Sequence, residues 1–286
     1  MLVRCVFVIS LFFSFQLTIQ GQIDPQELKA PIDPLPGYTW SGQRGKDGIS
    51  GKFVRADGFT IAFRRSAARG FYSKAFATGR AAIWRKDQII NGNRVAVARF
   101  EDGEIATLID ETEMLSANPR TLDQVADLLL STAALTQLNV DLPPATEERP
   151  AVPGNIRLLP GYVHERRRGK DSSPGVIARA GALSIGYDIG RMAANYAIKY
   201  FPEDYERLLR RNRLNEDSIK RDLQYQNERV RWRQRQKLNG DELMLVQLKD
   251  DKVIGSFAKA NANFVADVDS EEELADFLLM VLTYRT

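Results

Sequence analysis

Apolar and polar positions along this chain alternate, cluster and repeat in ways that predict its elements before any chemistry is considered. Residues 52–64 (KFVRADGFTIAFR) hold two β-rich runs around Asp57-Gly58, the pattern of a hairpin. Residues 66–77 continue as a predicted helix, with Ser66 as N-cap and Gly79 just past the end. Three short strands follow over 82–90, 95–100 and 104–109, with Asn91-Gly92 and Asp102-Gly103 as turns. Thr121-x-x-Gln124 then makes a capping box, and Leu122, Val125, Leu128 and Leu129 recur at helical spacing towards Leu135.

The same order returns further along. Asp188 stands as the N-cap of a helix predicted to run to about residue 200. Asn239-Gly240 joins two strands, and Ser270-x-x-Glu273 opens a helix carrying Leu274, Phe277, Leu278, Val281 and Leu282. Identities tie the two passages together. Leu35-Pro36-Gly37-Tyr38 recurs as Leu159-Pro160-Gly161-Tyr162, and Arg44-Gly45-Lys46-Asp47 as Arg168-Gly169-Lys170-Asp171. Gly51, Arg55, Ile61 and Tyr72 match Gly175, Arg179, Ile185 and Tyr196 without a gap. Trp84-Arg85, Asn91-Gly92 and Ala126-Asp127 match Trp232-Arg233, Asn239-Gly240 and Ala275-Asp276. The chain is therefore a tandem duplication.

The expected fold is α+β: two tandem copies of a hairpin, helix, three-strand meander, helix unit. Antiparallel sheets carry their helices on one face, and the copies relate to each other by a pseudo-two-fold axis, as in homodimers. The layout is a signal peptide at 1–21, an extended arm at 22–34 and a first repeat domain at 35–138. A Pro-rich linker at 139–157 leads to a second repeat domain at 158–286, with a charged helical insertion at about 200–228. In that insertion Phe201, Tyr205, Leu208 and Leu209 share one helical face, and Glu206 and Glu216 each precede a cation by four residues.

The N-terminus adds a compartment. Arg4, the apolar run 5–19 and Gln20-Gly21-Gln22 follow the order of a secretory signal peptide cut near Gly21, and the run is shorter than the roughly 20 residues of a spanning helix. The expected location is secreted or periplasmic, with no integral membrane span after signal removal. Cleavage removes the only cysteine, Cys5, which excludes disulfides, thiolate nucleophiles and Cys-based metal sites from the mature chain. Forty basic residues against 37 acidic argue against a general nucleic-acid binder. No cofactor and no metal are expected.

Two basic segments are the candidate ligand-binding sites. The repeated Arg-Gly-Lys-Asp, predicted as a loop, has a structural reading in which Gly45 and Gly169 supply a left-handed turn and Asp47 and Asp171 form Asx turns. In its functional reading Arg168 and Lys170 face an anionic group and Asp171 orients one of them. The second segment is 229–237 (RVRWRQRQK). Strict alternation places Arg229, Arg231, Arg233, Arg235 and Lys237 on one side of a strand, with Lys237 opposite Glu242 and the remaining arginines facing Met244, Val246 and Leu248. Either an anionic ligand or acids from the inserted helix would neutralise that face. His164, the only histidine, is a candidate general base or an exposed loop residue, and Asp188 a helix cap or a catalytic acid.

The expected role is a non-catalytic binding or assembly module of the cell envelope or extracellular space, with an anionic ligand or a protein as partner. Two alternatives stand beside it. One is a hydrolase of an extracellular polymer through a carboxylate pair such as Asp171 and Asp188. The other is a binder of anionic glycan or nucleic acid through the arginine strand.

Overall fold

A computed structural model describes residues 28–66, 68, 70, 72, 76, 80–137, 156–190 and 195–284. The segment expected to be a signal peptide, the first part of the expected arm and most of the expected linker lie outside the described residues. The first copy builds β1 (Tyr38–Gly45), β2 (Gly48–Arg55), β3 (Thr60–Ser66), β4 (Ala82–Ile90), β5 (Asn93–Phe100), β6 (Ile105–Ile109), β7 (Glu113–Ala117) and helix α1 (Leu122–Thr136). The second builds β8 (Val163–Arg166), β9 (Ser172–Ala178), β10 (Ser184–Gly190), three helices α2 (Asn195–Ile198), α3 (Pro202–Arg211) and α4 (Glu216–Arg229), then β11 (Val230–Leu238), β12 (Asp241–Leu248), β13 (Lys252–Phe257), β14 (Ala262–Asp267) and α5 (Glu271–Val281).

The fold is α+β and duplicated. Each copy forms its own seven-stranded antiparallel sheet, ordered β1-β2-β3-β7-β6-β5-β4 and β11-β12-β13-β14-β10-β9-β8. The helices α1 and α5 pack against each other between the two sheets, so their apolar faces and the inner faces of both sheets share one core. Each helix also reaches the other copy, α1 touching β11 and α5 touching β4. Asn239 Nδ2 donates to Asn91 Oδ1 at 2.8 Å, a contact between equivalent residues that marks the pseudo-two-fold axis. A second layer covers the outer faces: Tyr72 and Phe76 over Ala98, Phe100 and Leu108 in one copy, and Ala197, Tyr200 and Phe201 over Met244, Val246 and Ile254 in the other.

The meander turns follow their residue chemistry. Asn91 and Asn239 both have φ of 52°, and Gly92 and Gly240 continue at 85° and 78°, the two left-handed positions a type I′ hairpin requires. Elsewhere the structure departs from expectation. The repeated Arg-Gly-Lys-Asp does not form a free loop in the first copy: β1 pairs with β2 through Gly45↔Gly48, so Lys46-Asp47 is the turn itself. Neither Gly45 nor Gly169 is left-handed; that conformation belongs to Gly37 (84°) and Gly161 (82°), inside turns closed by Tyr38 N–H to Leu35 O and Tyr162 N–H to Leu159 O. Each meander has a fourth strand, β7 or β14, beyond the three expected.

Asp188 is not a helix cap. It lies within β10, opposite Asn263 of β14 and Pro174 of β9, and the helix expected there is confined to Asn195–Ile198 among the described residues. Of the helix predicted over 66–77, Ser66 ends β3 and its Oγ accepts from Ala68 N–H at 3.1 Å, the bond of an N-cap, while Tyr72 and Phe76 are helical and buried; the other residues from 67 to 77, apart from Ala68 and Gly70, lie outside the described ones. The insertion is a helix pair, α3 and α4, held by Tyr205 Oη donating to Asp222 at 2.7 Å and by Arg210 gripping both Glu206 and Glu216. Burial and that hydrogen bond push the Tyr205 phenol up to about 12. No described helix is long and apolar enough to cross a membrane.

Candidate functional site

Three of the residue pairs that resisted divergence, a tyrosine, an arginine and an aspartate, come together in each copy. Tyr38 Oη donates to Asp127 Oδ2 at 2.6 Å, and Tyr162 Oη donates to Asp276 Oδ2 at 2.6 Å. Arg55 adds bonds to Asp127 at 2.8 Å and to Asp123 at 2.7 Å, and its counterpart Arg179 lies 3.6 Å from Asp276. The repeated Tyr, Arg and Asp are thus one buried cluster per copy. Each aspartate also takes a donor from the opposite copy: Gln234 Nε2 reaches Asp127 Oδ1 at 2.9 Å, and Lys86 Nζ reaches Asp276 Oδ1 at 3.0 Å. Gln234 and Lys86 are equivalent positions on β11 and β4. Burial raises Asp127 above the ordinary carboxylate range despite these donors, and burial beside the aspartates raises both tyrosines.

Gly51 and Gly175 are repeated for a steric reason. A Cβ on Gly51 would lie 2.3 Å from the Trp40 ring, and one on Gly175 would lie 2.2 Å from Tyr187 Oη. His164 takes Trp40's place and stacks on Tyr187, its Nε2 hydrogen-bonded with Tyr187 Oη at 2.5 Å. Desolvation, then the nearby Arg166 charge, lowers the His164 pKa below its ordinary value, so the ring favours the neutral form. Arg166, Arg167, Arg168, Lys170 and Asp171 are exposed around the β8–β9 connection, and no described side chain pairs with any of them. Asp171 therefore orients neither Arg168 nor Lys170.

The arginine strand is not a uniform cationic face. Arg229 is the last residue of α4, and a bulge between Val230 and Trp232 takes Arg231 out of the alternation. Arg231 pairs with Asp251 at 2.7 Å, Arg233 donates to Tyr200 O at 2.8 Å, and Arg235 pairs with Asp204 of α3 while lying over the Phe201 ring. Arg229 lies near the Tyr200 and Tyr225 rings. Lys237 stands opposite Glu242, and Arg235 and Arg233 oppose Met244 and Val246, in the expected register. Beyond the bulge, Val230 and not Arg231 faces Leu248.

Two clefts open along β11 where it meets the first copy. Arg235 and Lys237 border a groove of about 450 Å³ with Ile32, Pro36 and Ala134. At the other end a cleft of about 370 Å³ is lined by Thr121, Leu122 and Asp123 at the start of α1 and by Arg231, Trp232 and Gln247. Here Gln247 is fully buried, and Trp232 Nε1 donates to its Oε1 at 2.6 Å. An indole N–H only donates, so this bond fixes the amide orientation and leaves Nε2 as the spare donor of a side chain that lines the cleft. That Nε2 has no partner. Thr121 makes no side-chain cap, unlike Ser270 of α5, which accepts from Glu273 N–H.

The equivalent place in the other half is closed. Register sets Trp84 against Arg99 as it sets Trp232 against Gln247, with the same bulge beside it. Arg99 forms an ion pair with Glu271 of the first turn of α5 at 2.9 Å, and Glu272 takes Lys86 at 2.6 Å. At the matching positions of α1 stand Leu122, which has no carboxylate, and Asp123, which is held by Arg55. Reading the sequence found Arg231 but not Thr121, Leu122, Asp123 or Gln247. Aligning the copies by strand register is the signal that finds them. No protein-family model, curated protein or solved structure shows significant similarity to this chain.

Proposed function

We propose that this protein is an exported, non-catalytic binding module of the cell envelope or extracellular space, with its ligand cleft between α1 and β11–β12. One observation carries the reading: of two pseudo-equivalent places, one is closed by Arg99 and Glu271, and the other keeps a buried, unpartnered amide donor at a 370 Å³ cleft. Native proteins rarely leave such a donor unmet, since each costs about 1–3 kcal/mol. Divergence after duplication accounts for the difference, one copy keeping the site and the other filling it. Export rests on the signal-peptide pattern of residues 1–21.

The test is a thermal-shift screen of the purified protein against peptidoglycan fragments, carboxylated and sulfated glycans, lipids and nucleic acid. A closed variant, Leu122→Glu with Gln247→Arg, is screened beside it. A compound that stabilises the wild type and leaves the closed variant unmoved is the expected result. Equal stabilisation of both proteins places binding elsewhere and ends this reading.

A further inference from the structure

The closed half names what the open half lacks. In it a carboxylate, Glu271 Oε2, lies 2.9 Å from Arg99 Nε, at the first residue of an α-helix and beside a tryptophan on the bulged strand. In the open half the helix, the tryptophan and the bulge all recur, and the donor opposite the tryptophan is Gln247 Nε2. What is missing is the acceptor. The first turn of α1 presents backbone N–H groups that no Thr121 side chain satisfies, and the positive end of a 15-residue helix favours negative charge. Arg231 at the mouth is ion-paired with Asp251, and Asp123, the one acid lining the cleft, shares the Arg55 guanidinium with Asp57 and Asp127, so the amide and the helix end supply the attraction.

We infer that the cleft binds a carboxylate group of an external ligand, one oxygen accepting from Gln247 Nε2 in the place that Glu271 fills in the other copy. This rests on the cleft being the binding site and adds the chemical class of what enters it. A carboxylate can come from a peptide or from a sugar acid, and both present the same planar pair of acceptors. The amide supplies one fixed N–H and the helix end supplies others, an arrangement suited to two oxygens about 2 Å apart.

The experiment uses matched probes: N-acetylglycine against N-acetylglycinamide, and glucuronate against glucose. Binding is read from the Trp232 indole N–H signal in nitrogen-edited NMR spectra, assigned with Trp232→Phe, because that N–H is bonded to the same amide. The acids should shift this signal saturably and raise the melting temperature, while the neutral partners do neither. Whichever acid acts at lower concentration identifies the source. Leu122→Glu, a change at the rim, should weaken acid binding at least tenfold. Leu122→Glu with Gln247→Arg should abolish it and raise the melting temperature without ligand.

Equal shifts from acids and neutral partners, lost in the closed variant, would overturn the carboxylate while leaving the cleft as a binding site. Acid shifts that persist unchanged in Leu122→Glu and in the closed variant would overturn the location. No shift of the Trp232 signal by either acid at tens of millimolar overturns the proposal outright.

Discussion

Asp127 and Asp276 hold their carboxylates almost wholly out of water, at 2% and 1% exposure, and their neighbours show how that is tolerated. Asp127 accepts from Tyr38, Arg55 and Gln234, and Asp276 accepts from Tyr162 and is ion-paired with Lys86, partners drawn from separate segments of chain. Tyr38→Phe removes one donor and leaves Asp127 with Arg55 and Gln234, a loss of about 1–3 kcal/mol. Asp276→Ala leaves the Tyr162 hydroxyl without its acceptor and Lys86 with Glu272 alone, two losses in place of one, and should cost more than Tyr38→Phe. Urea unfolding of both variants gives the ordering, and the reverse ordering would contradict the assigned partners. His164 offers a second residue-scale test because it is the only histidine. Its folded pKa is lowered, so the folded state binds fewer protons than the unfolded chain. The stability it contributes is present above the unfolded value of about 6.5 and is lost as pH falls through the folded one. The urea midpoint of the wild type should therefore drop below pH 6.5 more steeply than that of His164→Phe, and the single imidazole should titrate below 6.5 by NMR. The sequence marked His164 as a position but not its partner, since Tyr187 is brought to it only by the pairing of β8, β9 and β10.

At the scale of elements, what was legible depended on whether a turn or strand carried a chemical signature. Asn-Gly and Asp-Gly turns announced themselves, because glycine takes a left-handed φ without steric cost. The turn before β7 did not: it uses Asp110 and Glu111 at φ of 44° and 63°, and nothing in Asp-Glu signals a reversal. The strand β1 was equally hidden, for it is an edge strand whose alternation stops after Tyr38 and Trp40, with Gly42 and Arg44 at the next positions of that face. Asp188 misled because a short acid beside Gly190 reads as a cap, whereas its neighbours Ile185 and Tyr187 already alternate as a strand. The arginines of β11 acquire a physical role from position. β11 ends its sheet, and cations on an edge strand oppose pairing with a second sheet. Those same cations fasten the insertion, so Arg235→Ala, which loses Asp204 and Phe201, should speed amide exchange in α3 while the centre of the sheet stays protected. Uniform loss of protection across β12 and β13 would show instead that α3 is integral to the sheet.

Across the whole molecule, the two copies are joined by α1 against α5 and by the reciprocal reach of β11 and β4. The interface is isologous in plan, as between identical subunits, but its details have separated: Gln234 against Lys86, Leu122 against Glu271, Gln247 against Arg99. Duplication was plain in the sequence partly because the repeated Tyr, Arg and Asp belong to the aspartate clusters and could not change freely, whereas the equally repeated Arg-Gly-Lys-Asp is exposed and nothing in the structure explains its retention. The cleft was not, because it is assembled from positions where the copies differ, drawn from both of them. With a protease site placed in residues 139–155, the cut chain should stay together on gel filtration and separate only when it unfolds. Two freely separating halves would contradict the shared core.

Gln234 and Lys86 each complete a buried aspartate that belongs to the other half. Neither half therefore carries a full set of instructions for its own interior. Expressed alone, each should be insoluble or swollen, and the two should rescue each other when made in the same cell. Genetically the halves behave as partners in complementation, so a damaging change at Asp127 can find its suppressor at position 234, in the opposite repeat and far along the gene.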